Sequence, residues 1–73
     1  MIKNRILLRQ DIGDFLRSAR RRKSLTGLQV GKMLHVSQQQ ISRYERGETS
    51  ISIETLDVLL KALDMDWSDF FST

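Results

Sequence analysis

The feature that most constrains this chain is a pair of helix-start signals in close succession. Thr26-x-x-Gln29 and Ser37-x-x-Gln40 each set a hydroxyl three residues ahead of a glutamine. In that pattern the two side chains satisfy each other's backbone amides at a helix N-terminus. Val30, Met33 and Leu34 supply an apolar face behind the first signal, and Gly47 offers a stop for the second helix. Residues 26–47 therefore predict two short helices joined by a tight turn. His35 falls in that turn, where positive φ is often needed and histidine is among the non-glycine residues enriched. Gly31 should cost about 1 kcal/mol of helix propensity. Close backbone approach, where a Cβ would obstruct, is the expected return.

The flanking segments have the same helical character. Asp11 can cap a helix running to about Lys23, with Ile12, Phe15, Leu16 and Ala19 on one stripe. Ser52 starts a fourth helix whose apolar face is Ile53, Leu56, Leu59, Leu60 and Leu63. Asp66 and Asp69 frame a short fifth helix carrying Trp67, Phe70 and Phe71, expected mainly as a core lid. With no proline in its 73 residues, the chain reads as all-α. The division expected is residues 1–10 as an N-terminal arm or dimerisation segment and residues 11–73 as one compact five-helix domain. A domain of this length is marginal alone and has no cysteine to staple it, so a tight core or oligomerisation is required.

Charge is divided along the chain. Through Leu25 there are eight cationic residues against two acidic ones, Asp11 and Asp14. From Glu45 onward two cations face seven carboxylates. A basic first third suits a polyanion, although ordinary solvated helix faces also produce such runs. No apolar run approaches the roughly 20 residues of a membrane span, and Ile6-Leu7-Leu8 is too short for a signal-peptide core. A cytoplasmic location is the default expectation. One histidine, no cysteine and no glycine-rich phosphate loop leave catalysis, metal binding and cofactor binding without support. No small-molecule effector site is visible.

The chemistry lies on the predicted third helix. At about 100° per residue, Gln38, Ser42, Arg46, Gln39 and Arg43 share one polar arc. Ile41, Tyr44 and Glu45 lie opposite, with Gln40 at the margin. Glutamine and arginine match the donor and acceptor pattern of base edges in the DNA major groove.

Thr26-Gly27-Leu28-Gln29-Val30-Gly31 through Ser37-Gln38-Gln39-Gln40-Ile41 to Gly47 resembles the helix-turn-helix of lambda-type phage repressors and Cro proteins, the XRE family. Residues 12–20, 52–63 and 66–71 resemble the family's first, fourth and fifth helices. The resemblance implies a lambda-repressor-like fold and sequence-specific binding of double-stranded DNA. It implies base contacts at Gln38, Gln39 and Arg43, and phosphate or flanking contacts at Ser37 and Gln40. Thr26, Lys32, Ser42 and Arg46 join that flanking set, beside the basic segment from Lys3 to Arg9. It also implies a buried ion pair between Arg20 and Glu45. The family often has glutamine where this chain has Gly27, and basic residues where it has Glu48, Thr49 and Ser50. Both departures remove phosphate anchors. The string SQQQISRYERG behind a basic segment further resembles small regulators encoded with fimbrial operons of enteric bacteria, implying control of adhesion and motility genes.

The reading that follows is a homodimeric transcription regulator on a roughly palindromic operator. The rival is a protein-interaction module on the same fold, such as the antitoxin of a toxin–antitoxin pair.

Overall fold

Four of the five helices end in the same way. The chain turns through a residue of positive φ, and the next residue donates its N–H back to a carbonyl five positions earlier. Leu25 donates to Arg20, Val36 to Gly31, Glu48 to Arg43 and Met65 to Leu60, at 2.8–3.1 Å. The turning residues are Ser24, His35, Gly47 and Asp64. This closure satisfies orphan carbonyls and carries the chain sharply off the helix axis. Three of the residues that follow, Leu25, Val36 and Met65, tuck against the core. These three stops thus also contribute apolar burial.

The computed structural model describes residues 8–72. The helices are α1 (Arg9–Arg22), α2 (Gly27–Leu34), α3 (Gln38–Glu45), α4 (Ile53–Ala62) and α5 (Trp67–Phe71), and no strand occurs among the described residues. None of these helices is long and apolar enough to cross a membrane. Leu8 begins the described chain; the expectations for Ile2, Lys3, Arg5, Ile6 and Leu7 fall outside it.

The starts follow the capping chemistry. Thr26 accepts from the Gln29 N–H at 3.0 Å, and the Gln29 side chain accepts from the Thr26 N–H at 2.8 Å. Ser37 accepts from the Gln40 N–H at 3.0 Å and Ser52 from the Thr55 N–H at 3.1 Å. In α3 only this forward bond forms, without the reciprocal glutamine bond. Asp66 and Asp69 cap α5 reciprocally. The first helix departs from expectation. It begins at Arg9, two residues before Asp11, with Leu8 at the cap position. Asp11 acts from the third helical residue, accepting the Leu8 N–H at 3.2 Å.

The core joins all five helices: Phe15, Leu16 and Ala19 of α1, Val30 of α2, Ile41 of α3, Leu56, Leu59 and Leu60 of α4 with Leu63, and Phe70 of α5. Phe70 meets Phe15 edge-on, with ring centroids 5.1 Å apart. The Trp67 indole N–H donates to Asp57 at 2.9 Å, fastening α5 to α4. Three residues assigned to apolar faces are instead exposed: Met33 at 50%, Ile53 at 73% and Phe71 at 67%. Each lies at the edge of a stripe on a helix of ten residues or fewer.

Two glycines set how closely the layers approach. A Cβ at Gly31 would stand 2.7 Å from the Val36 carbonyl oxygen, so the bend into α3 folds directly over α2. A Cβ at Gly13 would stand 2.3 Å from the Glu45 carbonyl oxygen and 2.7 Å from that of Tyr44. At Gly13 the end of α3 meets α1, and at Gly31 the turn into α3 meets α2, each where the helix carries no side chain.

Candidate nucleic-acid interface

The third helix is held from behind. Ile41 is 2% exposed in the core, and Glu45 is buried against α1. Arg20 grips that carboxylate with two bonds, Nε to Oε2 at 2.6 Å and Nη2 to Oε1 at 2.9 Å. Its remaining Nη1 donates to the Leu25 carbonyl at 2.9 Å. One guanidinium therefore ties α1, the turn after α1 and α3 together. The Glu45 hydrogen bond raises the Arg20 pKa above its ordinary value despite the opposing effect of burial. The Arg20 guanidinium is thus held more firmly in its charged form. A planar fork meeting a carboxylate edge-on also fixes orientation, which a single point contact would not.

With its rear anchored, α3 presents Gln38, Gln39 and Arg43 to solvent, all exposed. These side chains carry amide and guanidinium groups able to pair with base edges. Gln40 and Ser42 are half-buried on the flanks. Ser37 is occupied as the cap of α3 and Thr26 as the cap of α2. Lys32 is exposed on α2 and has no ion pair among the described residues.

Arg46 is in a different condition. Its Nε and Nη2 donate to the two oxygens of Glu48 at 2.8 and 3.1 Å, and its Nη1 donates to Ser42. The Glu48 hydrogen bond raises the Arg46 pKa, and the same bond lowers that of Glu48. Arg46 would have to release Glu48, or share it, to meet a phosphate at full charge. The acidic residue after α3 is thus more than a missing cation; it neutralises a neighbouring one.

Beside the reading face lies an open cleft of about 390 Å³ between α1, the start of α2 and α3. Arg17, Thr26, Gly27, Gln38, Ser42 and Arg46 line it. The cleft brings together four of the expected contact residues, Thr26, Gln38, Ser42 and Arg46. Gln39, Arg43 and Lys32 lie outside it. Arg17 is absent from the set drawn from the sequence. It sits three residues before Arg20 and so shares its helix face, a signal that the expected Arg20–Glu45 pair already carried. The described residues hold no group of three or more His, Cys, Asp or Glu side chains that could ligate a metal.

Comparisons with known proteins agree with this geometry. A family model described as Helix-turn-helix matches residues 16–70. The antitoxin PezA of Streptococcus pneumoniae serotype 4 is 31% identical over 58 residues. That match takes in 80% of this chain and 37% of the antitoxin, so the chain spans little more than a third of that relative. A crystal structure of the clp gene regulator ClgR from Corynebacterium glutamicum superposes with a TM-score of 0.85 at 33% identity, over 92% of this chain and 71% of that one. A second ClgR structure gives 0.84 at 33% identity, over 92% and 86%.

Proposed function

Because the chain belongs to the helix-turn-helix family, we propose that it is a transcription regulator that binds double-stranded DNA with α3 in the major groove. The observation that carries this reading is the two-sidedness of α3. Ile41 and Glu45 are buried, while Gln38, Gln39 and Arg43 stand exposed with their polar groups outward. In this role Gln38 or Gln39 reads adenine N6 and N7, and Arg43 reads guanine O6 and N7, each worth about 1–3 kcal/mol of discrimination. Ser37, Gln40, Ser42, Lys32, Thr26 and Arg46 act as flanking or phosphate contacts. The similarity to a clp gene regulator supports a regulatory outcome. A regulator of this kind acts by binding rather than by catalysis and works in the cytoplasm.

Two copies would present their α3 helices about 34 Å apart on a roughly palindromic operator. Control of fimbrial and motility genes rests only on the resemblance of residues 37–47 behind a basic segment, since the similar proteins are named as a clp gene regulator and an antitoxin.

The test is Gln39→Ala in an anisotropy titration. It should weaken binding to the operator, once footprinting has defined it, far more than binding to random DNA. Equal losses on both would remove Gln39 from the reading set.

A second reading has one observation in its favour, the 31% identity to an antitoxin. On this reading the chain is a protein-interaction module that works by binding a protein partner. Co-purification with the product of an adjacent gene, under conditions that abolish that product's toxicity, would favour it.

A further inference from the structure

The cleft beside α3 contains three arginines, and they are not equivalent. Arg20 is committed to Glu45 by two bonds, and Arg46 to Glu48 by two more. Arg17 has no carboxylate partner among the described residues and is exposed. The positive potential of the cleft is therefore largely that of one guanidinium. Gln38, a proposed base reader, lines the same cleft. At Gly27 no side chain stands between them: an added Cβ would already lie 3.6 Å from Gln38 Cγ. A cation one helix away from a base-reading residue, across an open and unobstructed cleft, is placed to meet the sugar–phosphate chain that borders the groove.

We propose that Arg17 is a backbone anchor of this protein, neutralising one DNA phosphate beside the bases that Gln38 faces. The inference rests on the DNA-binding reading above and adds a residue to it. It also accounts for how the chain manages with Gly27 at the start of α2 and Glu48 after α3. The anchor is supplied from α1, on the opposite wall of the cleft.

The experiment is a fluorescence-anisotropy titration of a labelled random-sequence duplex over a potassium chloride series. It compares the parent protein with Arg17→Gln, Arg17→Lys and Arg21→Gln. Arg21 is exposed one turn further along α1 and does not line the cleft. Loss of one phosphate contact flattens the log–log salt slope by about 0.9, equivalent to about eightfold in affinity per decade of salt. Arg17→Gln should show that flattening, Arg17→Lys should restore the slope, and Arg21→Gln should show less than half the effect. A slope for Arg17→Gln equal to that of the parent overturns the proposal. So does equality of Arg17→Gln and Arg21→Gln, which would reduce the effect to general charge. The parent protein and Gln39→Ala distinguish the two levels of inference. If the parent binds no duplex, the DNA reading itself fails. If the parent binds and Gln39→Ala loses operator preference while Arg17→Gln keeps the parent slope, only the anchor fails. Inorganic phosphate added at constant ionic strength should compete no better than chloride; selective competition would instead make the cleft a site for free phosphate and overturn the assignment to DNA.

Discussion

Alanine at Gly27 and alanine at Gly31 should move the stability of this protein in opposite directions, although both sit in the same eight-residue helix. Each exchange replaces glycine with the best helix former, a gain of about 0.5–1 kcal/mol, smaller at the first helical position. The two sites differ in the space available. At position 27 the new methyl would find Gln38 Cγ at 3.6 Å and Ile41 Cγ2 at 3.8 Å, ordinary contact distances. At position 31 it would meet the Val36 carbonyl oxygen at 2.7 Å, the Ser37 carbonyl carbon at 3.3 Å and the Gln38 nitrogen at 3.4 Å. These are backbone atoms of the turn, and the Val36 N–H is itself bonded to the Gly31 carbonyl at 2.9 Å. Relief requires moving the start of α3. Overpacking costs about 1–3 kcal/mol, and a backbone obstacle places this case in the upper half. The net expectation is about 1–2 kcal/mol lost for Gly31→Ala and about 0.5 kcal/mol gained for Gly27→Ala. At about 4–8 °C per kcal/mol for a domain this size, the two variants should melt about 6–20 °C apart. Thermal melts followed by circular dichroism, with urea titrations beside them, measure this. Equal shifts of the same sign would refute the argument, since propensity alone would then explain both.

Three further outcomes follow from the charged contacts. Glu45→Ala should cost about 3 kcal/mol in urea titrations, because it strands the Arg20 guanidinium, only 15% exposed, without its partner. A loss below 1 kcal/mol would show the pair to be dispensable. Glu48→Gln should strengthen binding to random-sequence duplex and steepen its salt dependence, by releasing Arg46; unchanged titrations would mean that Arg46 stays clear of DNA. Asp66, which caps α5, has its pKa lowered from the ordinary 3.8, first by its bond from Ser68 and then by the Asp69 N–H. A depressed folded pKa means that the unfolded chain binds more protons, so this contribution is present above about pH 4 and fades as pH falls below it. Asp66→Asn keeps a capping oxygen but cannot titrate. Its melting temperature should converge on the parent's between pH 5 and pH 2, and a constant gap would exclude the mechanism.

What the sequence disclosed, and what it withheld, divides along physical lines. Helix starts were legible at Thr26, Ser37, Ser52 and Asp66, because a cap is a local bargain between residues three apart. His35 and Gly47 were legible as stops for the same reason. Ser24 and Asp64 make equivalent turns, but neither is glycine, and the Leu25 and Met65 that follow them announce nothing alone. Met33, Ile53 and Phe71 were misplaced because two turns of helix define a stripe too loosely to fix its edges; the packed neighbour decides them. Asp11 was misassigned by three positions, from cap to third helical residue, since it serves a helix equally well from its first turn. Gly13 was silent until α3 lay across it. The candidate reading residues were visible from their polarity, whereas the condition of the arginines was not. That Arg46 is paired and Arg17, among the described residues, is not depends on which carboxylates the fold brings near.

The anchored rear and open front of α3 also bear on how a protein of this kind changes its target. The residues that fix the helix, Ile41 and Glu45, and the three proposed readers, Gln38, Gln39 and Arg43, are disjoint sets. Substitution at an exposed position away from caps and pairs usually changes stability by no more than about 0.5 kcal/mol. A lineage can therefore wander from one operator to another by single steps, every intermediate still folding, even with the thin margin of a domain this small. An engineer can do the same deliberately, exchanging three side chains and leaving the helix that carries them in place.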